Sequence, residues 1–259
     1  MPYTDKHEPG SFCWIELGTS DQNAAKTFYS SLFDWAAIDS PMGPGQFYTM
    51  FQADGRNTGA AYTQGKPETD MGVPPHWNLY VSVASADESA KRAAELGGHV
   101  LAPPFDVMTH GRMAVIKDTS GAAFCIWEPK DHTGMAVTNQ PGSFCWADLN
   151  TPDRKVAQSF YSGLFGWTFE PGDGDYLHIK NGDSYIGGMP PVHNQNPNAP
   201  PHWMIYLQVA ECDASTAKAK ELGARVYFGP MTIEKVGRMT VIADPQGAVS
   251  SLFQVLPRS

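Results

Sequence analysis

The sequence predicts an α+β fold of four βαβββ units, grouped as two tandem domains. The first observation is a long internal repeat, because residues 9–14 (PGSFCW) recur unchanged at residues 141–146. The second is a motif at residues 28–35 (FYSSLFDW) that recurs at residues 160–167 (FYSGLFGW). Both pairs share an offset of 132. Solenoid repeats run at roughly 20–50 residues, so this period indicates a duplicated domain.

Later motifs keep the same order at a shorter offset. Residues 75–77 (PHW) recur at residues 201–203, and residues 111–113 (GRM) recur at residues 237–239, both at an offset of 126. Corresponding residues therefore occur in both halves of the chain. Any site proposed in one half has a counterpart to compare in the other.

The length of 259 residues suits two domains of ordinary size. We place the first domain at residues 1–135 and the second at residues 136–259. Each is large enough to bury its own core without disulfide bonds. The four cysteines form no CxxC pattern, so zinc or dithiol chemistry is not indicated.

Charge and hydropathy exclude two classes of function. The formal net charge is −9 with only 18 lysines and arginines, so a nucleic-acid partner is not expected. No stretch reaches the roughly 18 apolar residues of a membrane span, and the N-terminal residues do not resemble a signal peptide. We therefore expect a cytoplasmic protein without a membrane partner.

The first unit reads as a strand, a helix and further strands. Residues 12–17 form the strand, and residues 19–21 (TSD) supply N-cap candidates for the helix. Extended stretches follow at residues 47–52 and 58–63. The apolar positions on one face of the helix are Ala25, Phe28 and Leu32.

The second unit repeats this order after a loop at residues 65–75. Residues 78–83 form a strand, and Ser85 with Glu88 forms a capping box that begins a helix ended by Gly97 or Gly98. Three strands follow, at Val100 and at residues 113–116 and 123–127.

The second domain repeats both units after a linker at residues 129–142. Pro152 after Thr151 predicts a helix with proline at its first position. A further helix ends at Gly223, after a loop at residues 190–201. The closing strands are expected at Val226 and at residues 239–242 and 249–253.

These paired units resemble the vicinal oxygen chelate superfamily, the group of glyoxalase I, bleomycin-resistance proteins and extradiol dioxygenases. The FYxxLFxW motif and the Asp-x-x-Gly turns at residues 118–121 and 244–247 carry the resemblance over nearly the whole chain. The most similar members are two-domain glyoxalase-like proteins labelled as hydroxylases. The resemblance implies two glyoxalase-like domains, each with a sheet curled around a cleft and helices packed outside it.

Strand parity then predicts which side chains face each cleft, since alternate residues of a strand point to opposite faces. These twelve positions are the candidate ligand-binding residues. In the first cleft they are Trp14, Glu16, Asn78, Tyr80, Cys125 and Trp127. In the second they are Trp146, Asp148, Met204, Tyr206, Ser251 and Phe253.

The resemblance also identifies where a metal would bind. Metal-dependent members place His, Gln or Glu on the first strand of each unit and Glu on a closing strand. Here the matching positions are Trp14, Asn78 and Cys125 in one half, and Trp146, Met204 and Ser251 in the other. We therefore expect no cofactor. The alternative is a divalent metal bound through His76 or His202, if a register shift turns either histidine into the cleft instead of capping its strand.

Three functions remain open from the sequence. The first is metal-free binding of a small molecule, aromatic or cationic, in aromatic-lined clefts. The second is a glyoxalase-, dioxygenase- or hydroxylase-like enzyme, hence a lyase, isomerase or oxygenase, with an atypical metal site or with acid–base catalysis by Glu16 or Asp148. The third is that one half has become a scaffold. As an assembly, we expect a monomer with an internal pseudo-dimer, or a homodimer.

Structural alternatives exist for the same residues. Glu16 and Asp148 could form salt bridges with Arg112 and Arg238, and the aromatic side chains could fill a collapsed core. Cys125 has no adjacent base, so a nucleophilic role is not expected. The remaining histidines show no repeated spacing and are expected on the surface: His7, His99, His110, His132, His178 and His193.

Overall fold

The computed structural model describes residue 4 and residues 6–256, and it contains two eight-stranded sheets. The strands of the first sheet are β1 (Phe12–Thr19), β2 (Ala36–Gly43), β3 (Gln46–Ala53), β4 (Arg56–Thr63), β5 (His76–Ser82), β6 (His99–Val107), β7 (Gly111–Lys117) and β8 (Ala123–Pro129). Those of the second are β9 (Phe144–Asn150), β10 (Thr168–Pro171), β11 (Leu177–Asn181), β12 (Ser184–Met189), β13 (His202–Gln208), β14 (Arg225–Ile233), β15 (Gly237–Ala243) and β16 (Val249–Val255).

Within the described residues, five α-helices accompany the sheets. They are α1 (Gln22–Phe33), α2 (Lys66–Asp70), α3 (Ala86–Glu95), α4 (Arg154–Phe165) and α5 (Cys212–Glu221). The order along the chain is therefore four βαβββ units, as predicted, and the two predicted loops carry short helical segments. These segments are α2 and a 3-10 turn at Val192–Asn194.

Local sequence sets the helix starts. Asp21 caps α1, where its carboxylate accepts a hydrogen bond from the Ala24 amide at 2.9 Å. Asp153 caps α4 in the same way, accepting from the two amides that follow Arg154. The prediction that Pro152 takes the first helical position is therefore wrong, because Asp153 provides the cap one residue later.

Both sheets have the same strand order. The first runs β2-β3-β4-β1-β5-β8-β7-β6, and the second repeats it as β10-β11-β12-β9-β13-β16-β15-β14. The first strand of each unit therefore lies at the centre of its sheet. Helices α1, α3, α4 and α5 pack on one face, and the other face, with the short α2 beside it, is left for the clefts.

A tyrosine from α1 joins the first domain to the second. The Tyr29 hydroxyl donates to Asp244 Oδ2 at 3.0 Å and accepts from the Trp77 indole at 3.2 Å. The other oxygen of Asp244 accepts from the backbone amides of residues 246–248. One buried aspartate therefore holds its own turn and the opposite domain together.

The duplicated residues repeat this contact in the other direction. Tyr161 of α4 donates to Asp118 Oδ2 at 3.0 Å and accepts from the Trp203 indole at 3.0 Å. Asp118 Oδ1 accepts from the amides of residues 120–122. The motifs that carry the family resemblance thus form contacts between the two domains.

Tryptophans complete the same interface. Trp35 donates to the Gly142 carbonyl at 2.7 Å, and Trp167 donates to the Gly10 carbonyl at 2.8 Å. Phe12 contacts Trp167 at 5.5 Å between ring centroids. Within residue 4 and residues 6–256, no helix is long and apolar enough to cross a membrane.

Candidate functional site

The faces of the two sheets opposite α1, α3, α4 and α5 line one connected depression of about 3290 Å³. A pocket for one small molecule occupies roughly 300–1,000 Å³, so the depression has room for more than one site. We call the part around Glu16 on β1 the first cleft, and the part around Asp148 on β9 the second cleft.

Strand register brings the predicted residues of the first cleft together. Strand β5 runs antiparallel to β1, with Tyr80 opposite Trp14 and Asn78 opposite Glu16. Strand β8 runs parallel to β5, with Cys125 beside Tyr80. These five side chains and that of Trp127 all line the depression.

The second cleft has the same register with one exception. Tyr206 lies opposite Trp146, and Met204 lies opposite Asp148. These four and Phe253 line the depression. Ser251 does not, contrary to the prediction, because it is fully buried and its hydroxyl donates within the sheet to the Thr240 carbonyl at 3.1 Å.

A carboxylate surrounded by tyrosines lies at the base of the first cleft. The Tyr80 hydroxyl donates to Glu16 Oε2 at 2.7 Å, and Tyr48 forms a second hydrogen bond with this carboxylate. The Trp14 indole donates to the Tyr48 oxygen at 3.2 Å. Burial raises the pKa of Glu16 above its usual value, and the two hydroxyls oppose part of that rise.

The second cleft contains the same arrangement around Asp148. Tyr206 donates to Asp148 Oδ2 at 2.7 Å, and Tyr176 donates to Oδ1. The Trp146 indole reaches both Asp148 Oδ1, at 3.1 Å, and the Tyr176 oxygen, at 2.8 Å. Burial raises the pKa of Asp148, against the effect of these donors.

The sequence analysis missed one tyrosine in each cluster. Tyr48 and Tyr176 are structural counterparts at an offset of 128, which matches neither repeat offset. They belong to β3 and to the segment entering β11, where the two halves differ in loop length. A search for inward-facing tyrosines near both third strands could have found them.

The predicted alternative of a salt bridge to each carboxylate is wrong. Arg112 binds Asp87 through two hydrogen bonds of 2.7 and 2.9 Å, and it also lies 3.3 Å from Asp106. Arg238 binds Asp213 at 2.6 and 2.8 Å. Asp87 and Asp213 belong to the first turns of helices, so each arginine binds on the helical side of its sheet.

His76 and His202 hold the turns before β5 and β13. The ring Nδ1 of His76 lies 2.9 Å from the Pro74 carbonyl, and that of His202 lies 2.8 Å from the Pro200 carbonyl. His76 Nε2 also contacts the Asn78 side chain at 3.2 Å. Both rings therefore cap the start of their strands, and no register shift turns either ring toward a metal position.

Three other histidines are not ordinary surface residues as predicted: the half-buried His7 and two histidines at the clefts. The half-buried His132 ring lies 4.5 Å from that of Trp14, and burial lowers the pKa of His132 to about 4. His178 packs 5.1 Å from the Tyr176 ring. Both line the depression, as does the exposed His110.

The residues at the family's metal positions do not fit a divalent cation. Trp14 and Trp146 cannot ligate, and burial raises the pKa of the Cys125 thiol, which keeps it protonated. Across the described part of the chain, no group of three or more His, Cys, Asp or Glu is arranged to hold a metal ion.

The first cleft has an additional polar chain. The Tyr62 hydroxyl donates to Glu68 Oε1 at 2.6 Å and accepts from the Asn78 amide at 3.4 Å. Glu68 lies close enough to Glu16 for their charges to interact. A second acidic group therefore stands at the mouth of this cleft.

Comparison with known proteins identifies the family. The model of the Glyoxalase/Bleomycin resistance protein/Dioxygenase superfamily matches residues 11–126, and a glyoxalase-like domain model matches residues 146–253. The chain belongs to this superfamily. CFP32 of Mycobacterium tuberculosis, provisionally named a glyoxylase, is 37% identical over the full length of both chains.

Two further similarities extend this picture. The anthracycline biosynthesis protein DnrV of Streptomyces peucetius is 33% identical, covering 95% of this chain and 94% of DnrV. The Mn(II)-bound glyoxalase of Novosphingobium aromaticivorans has a TM-score of 0.68 at 14% identity, covering 96% of this chain and 83% of that one. The 2,3-dioxygenase LapB of Pseudomonas sp. KL28 has a TM-score of 0.64 at 11% identity, covering 96% and 93%. At these identities, the structural matches establish the fold alone.

Proposed function

We propose that the chain binds a small aromatic molecule carrying an ammonium group or another hydrogen-bond donor, without the metal used by other members of the family. The main observation behind this proposal is the carboxylate–tyrosine cluster at the base of the clefts. It lies beside the positions where the family places metal ligands. Aromatic rings supply apolar contact area, and the carboxylate accepts a hydrogen bond from the ligand.

The charge of the depression supports a cationic ligand. Among the described residues that line it, Lys117 is the only lysine or arginine. The acidic side chains that line it are Glu16, Glu68, Asp131, Asp148, Asp173 and Glu234. A cleft with this balance attracts cations and repels anions.

The relatives support an aromatic ligand more than any particular reaction. DnrV is named for anthracycline biosynthesis, and CFP32 is named provisionally as a glyoxylase. The two names point to different chemistry on closely similar chains. What this chain shares with both is sequence similarity over nearly its full length, so ligand binding is the part of the function that we propose first, in a cytoplasmic setting.

Binding is tested with three probes that share one phenol ring. Tyramine is cationic, 4-ethylphenol is neutral and 4-hydroxyphenylacetate is anionic. We expect tyramine to raise the unfolding temperature most and 4-hydroxyphenylacetate to have no effect. Absence of binding by all three and by a wider panel of aromatic amines and phenols, measured by calorimetry, would refute the proposal.

Elemental analysis tests the metal separately. Protein purified without chelator is expected to contain less than about 0.1 divalent metal per chain after desalting, because the family positions lack suitable donors. A stoichiometric metal that survives desalting would overturn the metal-free part of the proposal.

One observation favours acid–base catalysis as a second candidate. Glu16 is half-buried at the cleft surface, and its raised pKa lies closer to neutrality than that of an ordinary glutamate. An isomerase using this group would exchange a carbon-bound hydrogen of its ligand with solvent. Incubation of bound carbonyl probes in D₂O, followed by mass spectrometry, should then show deuterium uptake that Glu16→Gln abolishes while probe binding persists.

A further inference from the structure

We propose that the two clefts have diverged, so that the first cleft binds the ligand and the Asp148 cluster of the second is a closed structural copy. This inference rests on the proposed function and assigns it to one half of the molecule. It follows from how the two carboxylates are packed, which differs although their neighbours correspond.

Asp148 has little capacity left for a ligand. It is only 5% exposed, and three donors already bind its two oxygens, from Trp146, Tyr176 and Tyr206. A carboxylate offers about four acceptor positions in total. About one acceptor position of Asp148 remains, and a ligand that took another by displacing a tyrosine would leave a buried polar group unpaired.

Gly188 maintains this closed arrangement. It lies beside Asp148 in the register of β12 with β9, and a Cβ at Gly188 would be 1.8 Å from the Tyr176 hydroxyl. The phenol therefore occupies the space that any other side chain would fill. The corresponding neighbour of Glu16 in β4 is Ala60, so the same close approach is not available to Tyr48.

The first cleft remains open at its carboxylate. Glu16 is half-buried, and its side chain is one methylene longer than that of Asp148, which carries its carboxylate further from the sheet. The Trp14 indole donates to Tyr48, whereas the Trp146 indole is shared between Tyr176, at 2.8 Å, and the Asp148 carboxylate, at 3.1 Å. Glu16 therefore has fewer protein donors than Asp148 and is left with acceptor capacity facing the cleft.

The polar chain beside Glu16 has no counterpart in the second cleft. Asn78, which binds the Tyr62 hydroxyl, corresponds to Met204. At the offset of 128 that relates Ala60 to Gly188, Tyr62 corresponds to Pro190, which has no hydroxyl. Asn78 and Tyr62 thus give the first cleft a polar contact beside its carboxylate that their counterparts in the second cleft do not provide.

Tyramine binding to full-length variants tests the assignment. We expect Glu16→Gln to weaken tyramine binding about tenfold or more, as expected for losing a hydrogen bond between charged groups, and Asp148→Asn to change the Kd less than twofold. A second pair of variants exchanges the residues that correspond between the two clefts, Asn78 and Met204. Asn78→Met should weaken binding several-fold, and Met204→Asn should not. Circular dichroism and unfolding temperatures establish that each variant is folded.

The outcomes separate this inference from the proposed function. Binding that is lost in Asp148→Asn or Met204→Asn, or that depends on both clefts, would overturn the divergence while leaving ligand binding established. If the wild-type chain binds none of the probes, the proposed function and this inference are both overturned.

A labelling experiment tests the closed carboxylate without any ligand. Carbodiimide coupling of glycine ethyl ester, followed by peptide mapping, should modify Glu16 at least about tenfold faster than Asp148, because three donors and burial protect Asp148. Equal rates in the native protein would contradict the closed arrangement.

Discussion

At the scale of single residues, one methylene separates the two carboxylates and changes their surroundings. Asp148 is drawn against the sheet, where two tyrosines and an indole bind it. Glu16 extends toward the cleft and keeps contact with solvent. Burying an acid without a basic partner favours its neutral form, so both groups have raised pKa values.

The raised pKa of Asp148 predicts the sign of a pH effect. Between the unfolded pKa, about 3.9, and the raised native pKa, the native state binds more protons than the unfolded state, so the free energy of unfolding falls as pH rises. Asp148→Asn should remove this negative slope, as measured by urea denaturation at several pH values.

Asp213 provides a control of opposite sign. Its hydrogen bonds with Arg238 lower its pKa, so its stabilising effect is present above the unfolded pKa and is lost as pH falls through the native one. Asp213→Asn should therefore remove a positive slope at acid pH. If Asp148→Asn gave the same change as Asp213→Asn, the account of Asp148 would be wrong.

The tyrosine donors should differ in their contribution to stability. Tyr206→Phe removes a donor from a fully buried carboxylate and should lower the free energy of unfolding by about 1.5–3 kcal/mol. Tyr80→Phe removes the corresponding donor from Glu16, which water can reach, so a smaller loss is expected. Chemical denaturation of both variants checks the order, and a larger loss in Tyr80→Phe would contradict it.

The alternation of side chains along each strand predicted many of the cleft residues from the sequence alone. Trp14, Glu16 and Tyr80 lie on one face because alternate strand residues do, and their counterparts follow from the duplication. Tyr48 was not found, because its position depends on the loop length before β3 and not on a repeated motif. Asp87, the partner that Arg112 binds through two hydrogen bonds, was also missed, because it lies on a helix whose packing the strand pattern does not describe.

At the scale of elements, the last strand of the first unit in each domain, β4 or β12, decides whether its cleft is closed. In β12 a glycine allows the Tyr176 phenol to lie directly against the sheet, and in β4 an alanine occupies the equivalent position. The position of β4 was predicted from the extended stretch at residues 58–63, and β12 follows from it only through the duplication. The effect of these strands on the tyrosine could not be predicted, since it depends on how closely the phenol ring approaches the strand backbone.

Gly188→Ala tests this role of β12. The added Cβ would overlap the Tyr176 hydroxyl, so the ring must move away from Asp148, at an expected cost of about 1–3 kcal/mol in the free energy of unfolding. Ala60→Gly, the matched change in β4, should cost only about 0.5–1 kcal/mol through backbone entropy. Urea denaturation measures both, and a neutral Gly188→Ala would show that Tyr176 does not close the cleft in this way.

At the scale of the whole molecule, the duplication has produced an interface as well as two clefts. The FYxxLFxW motifs supply Tyr29 and Tyr161, and the Asp-x-x-Gly turns supply the aspartates that receive their hydrogen bonds. Each aspartate also organises the turn before the last strand of its own sheet. The two domains are therefore joined through residues that each domain needs for its own fold.

This arrangement predicts that the domains unfold together. Calorimetry of the wild-type chain should show one transition, because separating the domains would expose buried aspartates and aromatic rings. Tyr29→Phe and Tyr161→Phe should each lower the free energy of unfolding by about 1–3 kcal/mol. The double variant should broaden or split the unfolding transition. Tyr185→Phe is the control, because Tyr185 binds Glu170 on the surface and should shift the unfolding temperature little. Two well-separated transitions in the wild-type chain would show that the interdomain tyrosines do not couple the halves.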